Sequence, residues 1–128
     1  MNKPDTKIKR WGIVVIQSLY PNDYKTGEML YHDILKYKKY HKSESFSSFY
    51  DVNSSDEFRL AMQTIETSLS EGDIITIQIE THGCDEGIGL NNGEILKWKD
   101  FYDIIRPLNI KTGHLLFVVM SMCKSISM

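Results

Sequence analysis

The sequence predicts an α/β domain built around a mostly parallel sheet. Short apolar runs of strand length alternate with stretches whose apolar residues recur at helical spacing. The last apolar run carries hydrophobic residues on both of its faces, as buried strands of parallel sheets do. Strands that alternate with helices form parallel sheets covered on both faces. The predicted order is β-α-β-α-β-hairpin-α-β, in a single domain over residues 1–128.

The first half of the chain predicts two strands and two helices. Residues 11–18 (WGIVVIQS) are a β-branched apolar run typical of a strand, and a helical stripe follows over residues 28–39. Residues 46–52 (FSSFYDV) predict a weaker strand. The segment from Ser54 to Glu57 has the spacing of a capping box, which marks the start of the second helix. The apolar stripe of that helix comprises Phe58, Ala61, Met62, Ile65 and Leu69.

The second half predicts a strand, a hairpin, a short helix and a final strand. In residues 73–80 (DIITIQIE) isoleucines alternate with polar residues, so one face of this strand is expected to be less well covered. Residues 87–96 predict a hairpin that turns at Asn92-Gly93. The third helix is expected to stop near Pro107, and residues 115–120 (LLFVVM) predict the last strand.

Composition and charge argue against several classes of binding partner. The net charge is −2 with an isoelectric point of about 6.1 and no basic stripe, so no nucleic-acid partner is expected. No apolar run approaches the roughly 20 residues that span a bilayer, so no membrane partner is expected. Residues 1–10 lack the apolar core of a signal peptide, and the chain has two cysteines. These features predict a cytoplasmic protein, and no cofactor is expected.

Two candidate functional residues follow predicted strands. The third strand runs into His82-Gly83, and the last strand runs into Ser121-Met122-Cys123. In parallel sheets, ligands and catalytic groups collect beyond the carboxyl ends of the strands. If these two strands are neighbours, His82 and Cys123 meet at one edge of the sheet.

Together these features resemble the caspase-like cysteine peptidases, a clan that includes caspases, metacaspases, gingipain-like enzymes and bacterial CHAT-type peptidases. The matching segments are the strand into THG (81–83), the segment GIGLNNGEILKW (87–98) and the strand into SMC (121–123). The resemblance implies a three-layer α/β/α fold with a mostly parallel sheet and a small hairpin after the catalytic histidine. The Gln-Ala-Cys-Arg-Gly context of a caspase nucleophile is absent, so a bacterial or divergent relative fits better.

The same resemblance implies a cysteine endopeptidase that acts on protein or peptide substrates. Family members carry the catalytic His-Gly at the end of one strand and the catalytic cysteine at the end of the next. Carried onto this chain, Cys123 is the nucleophile and His82 its acid/base partner. The amides of Gly83 and Cys123 are then the expected oxyanion hole. The family also implies a role in regulation, defence or cell death.

Three alternatives accompany this interpretation. Cys84 has no role in the family pattern, and it is either structural or a redox partner that forms a disulfide with Cys123. A zinc site from His82, Cys84, Cys123 and His114 is possible by residue type, but the spacing argues against it and no metal is expected. His32, His41 and His114 are expected to be non-functional. The third alternative is a caspase-like interaction module without catalytic activity.

The last predicted strand suggests that the chain is one part of a larger working unit. An apolar run on both faces belongs in the middle of a sheet, yet the sequence ends eight residues after Met120. The chain is therefore expected to be the large-subunit-like part of a peptidase domain. A companion C-terminal chain or a second copy is expected to pair beside residues 115–120.

Overall fold

The computed structural model describes residues 10–33 and 45–124. Their secondary structure follows the predicted order of strands and helices. The elements are β1 (Arg10–Ser18), α1 (Thr26–Asp33), β2 (Ser45–Asp51), α2 (Ser55–Ser68), β3 (Asp73–Cys84), β4 (Gly87–Gly89), β5 (Ile95–Lys97), α3 (Trp98–Thr112) and β6 (Leu116–Lys124). The prediction of an α/β domain is confirmed. Of the predicted first helix, residues 34–39 lie outside the described part.

Six strands form one mixed, mostly parallel sheet centred on β3. Strand β1 pairs in parallel with both β2 and β3, and β6 pairs in parallel with the other side of β3. The hairpin of β4 and β5 joins antiparallel at the carboxyl end of β3. The third and last predicted strands are therefore neighbours, which is the condition under which His82 and Cys123 meet.

The core lies between one face of the sheet and the helices α2 and α3. On this face Ile75, Ile77 and Ile79 of β3 are fully buried, and they alternate with less buried polar residues as expected. The rings of Phe58 in α2 and Phe101 in α3 lie 5.9 Å apart within the same cluster. Burial of this apolar face supplies the main stabilisation of the domain.

The opposite face is covered by α1 near the carboxyl ends of the strands. A Cβ atom at Gly27 would come within 3.0 Å of the side chains of Glu80 and Val15, so the close approach of α1 to the sheet favours glycine there. Towards the amino ends, Trp11 is 63 % exposed and Phe117 of β6 is 55 % exposed. Within the described residues, helical cover of this face is thus limited to α1.

Local signals at the start of α2 and in the hairpin are confirmed, with one difference. The Ser54 hydroxyl accepts a hydrogen bond from the Glu57 amide at 3.1 Å, as a helix cap requires. The Glu57 carboxylate accepts from the Asn53 amide at 2.7 Å rather than from Ser54, so the reciprocal bond is shifted by one residue. In the hairpin loop the Leu90 amide donates to the Glu94 carbonyl at 2.9 Å.

The prediction that the third helix stops near Pro107 is wrong. Helix α3 continues through the proline to Thr112. Proline removes one helical hydrogen bond and costs up to about 3 kcal/mol. Beyond it, however, Leu108 and Thr112 are buried, and Gly113 adopts a left-handed conformation (φ 83°) that caps the helix. Tertiary packing and this cap offset the local penalty.

Strand β3 extends beyond its predicted end at residue 80. Residues His82 to Cys84 pair antiparallel with β4 on one side, and the pairing with β6 continues to Gly83 on the other. His82 therefore lies inside a strand rather than after it. The extension depends on hydrogen bonds from β4, which follows β3 after a tight turn, and from β6, which is distant in sequence, so the apolar run alone did not indicate it.

Strand β6 is an edge strand within the described part of the chain, where it pairs with β3 alone. In those same residues, no helix is long and apolar enough to cross a membrane.

Candidate active site

The candidate site lies at the carboxyl end of the sheet, on β3 and β6. The Cα atoms of His82 and Cys123 are register partners in these adjacent parallel strands. Such partners lie side by side at the strand spacing of roughly 4.8 Å. The two residues that the sequence marked as a catalytic pair are thus brought together at the backbone level.

A carboxylate that sequence reasoning missed contacts the histidine. Oδ2 of Asp23 lies 2.7 Å from Nε2 of His82, although the two residues are 59 positions apart. Asp23 follows β1 and therefore belongs to the same carboxyl end of the sheet as His82. The one available signal was an acidic residue in the turn that follows the first predicted strand.

A tight turn holds Asp23 in place. The Asp23 amide donates to the Tyr20 carbonyl at 2.9 Å, and Pro21 occupies the second position of this turn, where its fixed φ is favourable. In return the Tyr20 amide donates to the Asp23 carboxylate at 2.8 Å. The hydrogen bonds from His82 and from the Tyr20 amide hold the pKa of Asp23 below its usual value. Asp23 is therefore ionised at neutral pH.

The contacts of His82 indicate which of its two ring nitrogens carries the proton. An ionised carboxylate only accepts hydrogen bonds, so Nε2 carries the proton that is donated to Asp23. In the neutral ring, Nδ1 then holds the basic lone pair. This buried nitrogen has no hydrogen-bond partner in the part of the chain that the structure describes. The Tyr20 ring stacks on the imidazole at a centroid distance of 4.6 Å and an interplanar angle of 26°.

A short polar network lies next to His82 on the same face of β3. Glu80 is buried, with 7 % of its surface exposed, and accepts hydrogen bonds from Thr26 Oγ1 and Gln78 Nε2, each at 2.6 Å. Gln78 also donates to Oγ of Ser121 in β6 at 2.9 Å. These contacts link α1, β3 and β6 beside the candidate site.

The expected oxyanion-hole residue Gly83 lies within the sheet. The Ile75 amide donates to Leu115 at 3.2 Å, so the amides of Ile75 and of every second residue after it face β6. Gly83 belongs to this set and is the register partner of Lys124. Its amide therefore faces the ladder between the two strands. The oxyanion role of the Gly83 and Cys123 amides stays a prediction, and it requires the end of β6 to release the Gly83 amide.

The register does not favour a disulfide between Cys84 and Cys123. Cys84 lies two residues beyond His82, the partner of Cys123, so a regular sheet separates the two cysteine Cα atoms by roughly 8 Å. Disulfides usually need less than about 7 Å. The free thiol of Cys84 is half-buried, with its sulfur 3.5 Å from the Gly87 carbonyl oxygen.

The zinc alternative loses one of its four ligands. His114 precedes β6 at the amino end of the strands, opposite to the end that carries His82, so these two residues cannot share a metal ion. Among the described residues, no three His, Cys, Asp or Glu side chains are grouped as a metal site would require. Of the histidines expected to be non-functional, His32 lies on α1 and contacts Tyr31 and Phe49, whereas His41 lies outside the described residues.

Comparison with protein-family models gives no match for this sequence, and comparison with curated proteins gives none either. The interpretation of the site therefore rests on its own residues and geometry.

Proposed function

We propose that this chain is a caspase-like cysteine endopeptidase in which Cys123 is the nucleophile and His82 the acid/base partner. The observation that carries the proposal is the register of His82 with Cys123 at the carboxyl end of neighbouring strands. The proposal includes the three-layer α/β/α architecture of that clan, in one domain over residues 1–128. It also places the enzyme in the cytoplasm, where its thiol stays reduced.

The chemistry follows from the contacts of the histidine. A free cysteine thiol has a pKa of about 8.5 and is mostly protonated at neutral pH. Nδ1 of His82 accepts the thiol proton, and the thiolate of Cys123 attacks the peptide carbonyl carbon. As the tetrahedral intermediate collapses, the imidazolium returns a proton to the leaving amine and a thioester remains on Cys123. Water then hydrolyses the thioester, with His82 taking its proton.

Asp23 is a positioning residue in this scheme. Its ionised carboxylate holds the Nε2–H tautomer of His82, which leaves the basic lone pair on Nδ1. The same carboxylate stabilises the imidazolium that forms when the thiol loses its proton. The turn at Tyr20 to Asp23 keeps this carboxylate in place, so the geometry exists before substrate binds.

The test is covalent labelling by a peptide that carries an acyloxymethyl ketone, an electrophile that captures thiolates. The intact mass should increase by one label, and peptide mapping should locate it on Cys123. Cys123→Ala should abolish labelling, whereas Cys84→Ala should keep it, because Cys84 is assigned no catalytic role. Labelling of Cys84 in preference to Cys123 in the folded protein would overturn the proposal.

One observation favours the second candidate, a caspase-like interaction module without activity. The Gly83 amide faces the sheet ladder, and a peptidase needs a free donor for the developing oxyanion. A folded protein that fails to react at Cys123 with any peptide electrophile would support the module. Circular dichroism on the same sample gives the control for folding.

We also propose that a companion segment, or a second copy of this chain, pairs beside residues 115–120 of β6. Strand β6 has one paired side within the described residues. An unpaired strand edge is a template for the addition of another strand. In the clan that the sequence resembles, a further segment continues the sheet beyond the cysteine strand and builds much of the substrate groove.

A further inference from the structure

We infer that Tyr20 is a second positioning residue for His82. Its ring stacks on the imidazole and sets the plane of that ring, and so the direction of the basic lone pair on Nδ1. This role rests on the proposed peptidase function and goes beyond it, because the reaction scheme assigns no task to the Tyr20 side chain.

The hydrogen bond to Asp23 leaves the plane of the imidazole undetermined. Oδ2 of Asp23 lies 2.7 Å from Nε2 of His82. Nε2 lies nearly along the extension of the Cβ–Cγ bond, so the ring can rotate about this bond with little movement of Nε2. The Nδ1 lone pair points across the same axis and turns with the ring. This torsion of histidine has broad preferences, so a fixed lone-pair direction needs a further constraint.

The stacked ring of Tyr20 supplies that constraint. Its centroid lies 4.6 Å from that of the imidazole, at an interplanar angle of 26°. Rotation of the imidazole would break this nearly parallel face contact, which is a favoured arrangement of aromatic pairs. Within the described residues, no hydrogen bond holds the ring at Nδ1. The aromatic face also attracts positive charge, so the stack favours the imidazolium that forms during the reaction.

The backbone of Tyr20 is itself fixed by the turn that carries Asp23. The Tyr20 amide donates to the Asp23 carboxylate at 2.8 Å, and the Tyr20 carbonyl accepts from the Asp23 amide at 2.9 Å and from Nζ of Lys25. One turn therefore presents a carboxylate to the edge of the imidazole and a ring to its face. The Tyr20 side chain is 42 % exposed, so its substitution should leave the hydrophobic core intact.

The test measures the second-order rate constant for modification of Cys123 by a peptidyl acyloxymethyl ketone, by intact mass on the full chain. Tyr20→Leu keeps apolar bulk but removes the aromatic face, and it should slow the reaction at least about tenfold. Tyr20→Phe keeps the face without the hydroxyl and should restore the rate of the unmodified chain. The matched control Tyr24→Leu removes a tyrosine that is 86 % exposed in the same loop, and it should not change the rate.

The nitrogen chemical shifts of the His82 ring separate this role from support of Asp23. These shifts distinguish the two tautomers of a neutral imidazole. In Tyr20→Leu the Nε2–H tautomer should persist, because the Asp23 carboxylate still accepts its proton. If Tyr20 acts only by holding the turn, the tautomer should be lost together with the rate. That loss, or a rate in Tyr20→Phe as low as in Tyr20→Leu, would overturn the inference.

A measurement on the unmodified chain does not depend on whether any variant folds. The ring current of Tyr20 should shift the ring protons of His82 upfield of those of the exposed His114. Unshifted protons would overturn the inference. Equal rates at Cys123 for Tyr20→Leu and the unmodified chain would also overturn it and leave the proposed function standing. Absence of any modification of Cys123 in the folded, unmodified chain would overturn both.

Discussion

The two faces of β3 differ in what their side chains contribute. On one face, three consecutive inward positions are isoleucines that are fully buried under α2 and α3. On the other face, Gln78, Glu80 and His82 form hydrogen bonds with α1, with β6 and with the loop after β1. Because side chains alternate between the faces of the strand, one face contributes to the hydrophobic core and the other carries the candidate site.

This difference explains how a polar cluster is tolerated in the central strand. The isoleucine face is independent of the polar face, so the hydrophobic core closes without the titratable groups. Most of these polar groups are paired with one another through hydrogen bonds, whereas the buried Nδ1 of His82 has no partner among the described residues. Changes on one face should therefore leave the property carried by the other face largely intact.

The largest effect on stability is expected from the isoleucine face. Ile77→Ala should lower the free energy of unfolding by about 2–5 kcal/mol, because it removes buried methyl groups and leaves a cavity. The control Thr76→Ala, on the half-buried opposite face, should cost about 1 kcal/mol or less. Urea denaturation of both variants measures the difference. Similar losses would show that the two faces contribute equally to the core.

A substitution on the polar face is expected to reduce the reactivity of Cys123 without a comparable loss of stability. Asp23→Asn should slow modification of Cys123 about 10- to 100-fold, because the amide no longer holds the Nε2–H tautomer or balances the imidazolium. The control Asp103→Asn removes an exposed carboxylate on α3 and should leave the rate unchanged. An unchanged rate in Asp23→Asn would remove Asp23 from the site.

The pH dependence of folding stability gives a second test of the contact between Asp23 and His82. Because its pKa is lowered in the folded protein, the hydrogen bonds that Asp23 accepts from His82 and from the Tyr20 amide contribute stability above the unfolded value of about 3.9. That contribution is lost as pH falls through the lowered folded value. The stability difference between the unmodified chain and Asp23→Asn should therefore be present at neutral pH and vanish in strong acid. A difference that persists in acid would argue for a packing role instead.

The smallest effect is expected at the edge of β6 that has no paired strand within the described residues. If a second copy pairs there, sedimentation velocity should show an association that grows with protein concentration. Phe117→Lys places a charge on this edge strand and should shift the chain towards monomer. The control Leu60→Lys alters an equally exposed apolar residue on α2 and should not. A monomer at every concentration would exclude pairing with a second copy and leave the companion segment as the remaining partner.

The sequence by itself determined the order of elements and the alternation within β3. These features depend on interactions among residues a few positions apart, such as the Ser54 cap, the Asn92-Gly93 turn and the isoleucine spacing. The proximity of His82 and Cys123 was also predictable, given that the carboxyl ends of parallel strands share one edge.

Tertiary structure decided what depends on distant partners. Helix α3 passes Pro107 because residues beyond it are buried, and β3 continues past its apolar run because β6, which is distant in sequence, pairs with it as far as Gly83. The contact between Asp23 and His82 joins the loop after β1 to strand β3, across 59 positions of sequence. The physical reason is the same in each case: local propensity acts over one or two turns of chain, whereas burial and hydrogen bonds from remote segments appear only when the chain is folded.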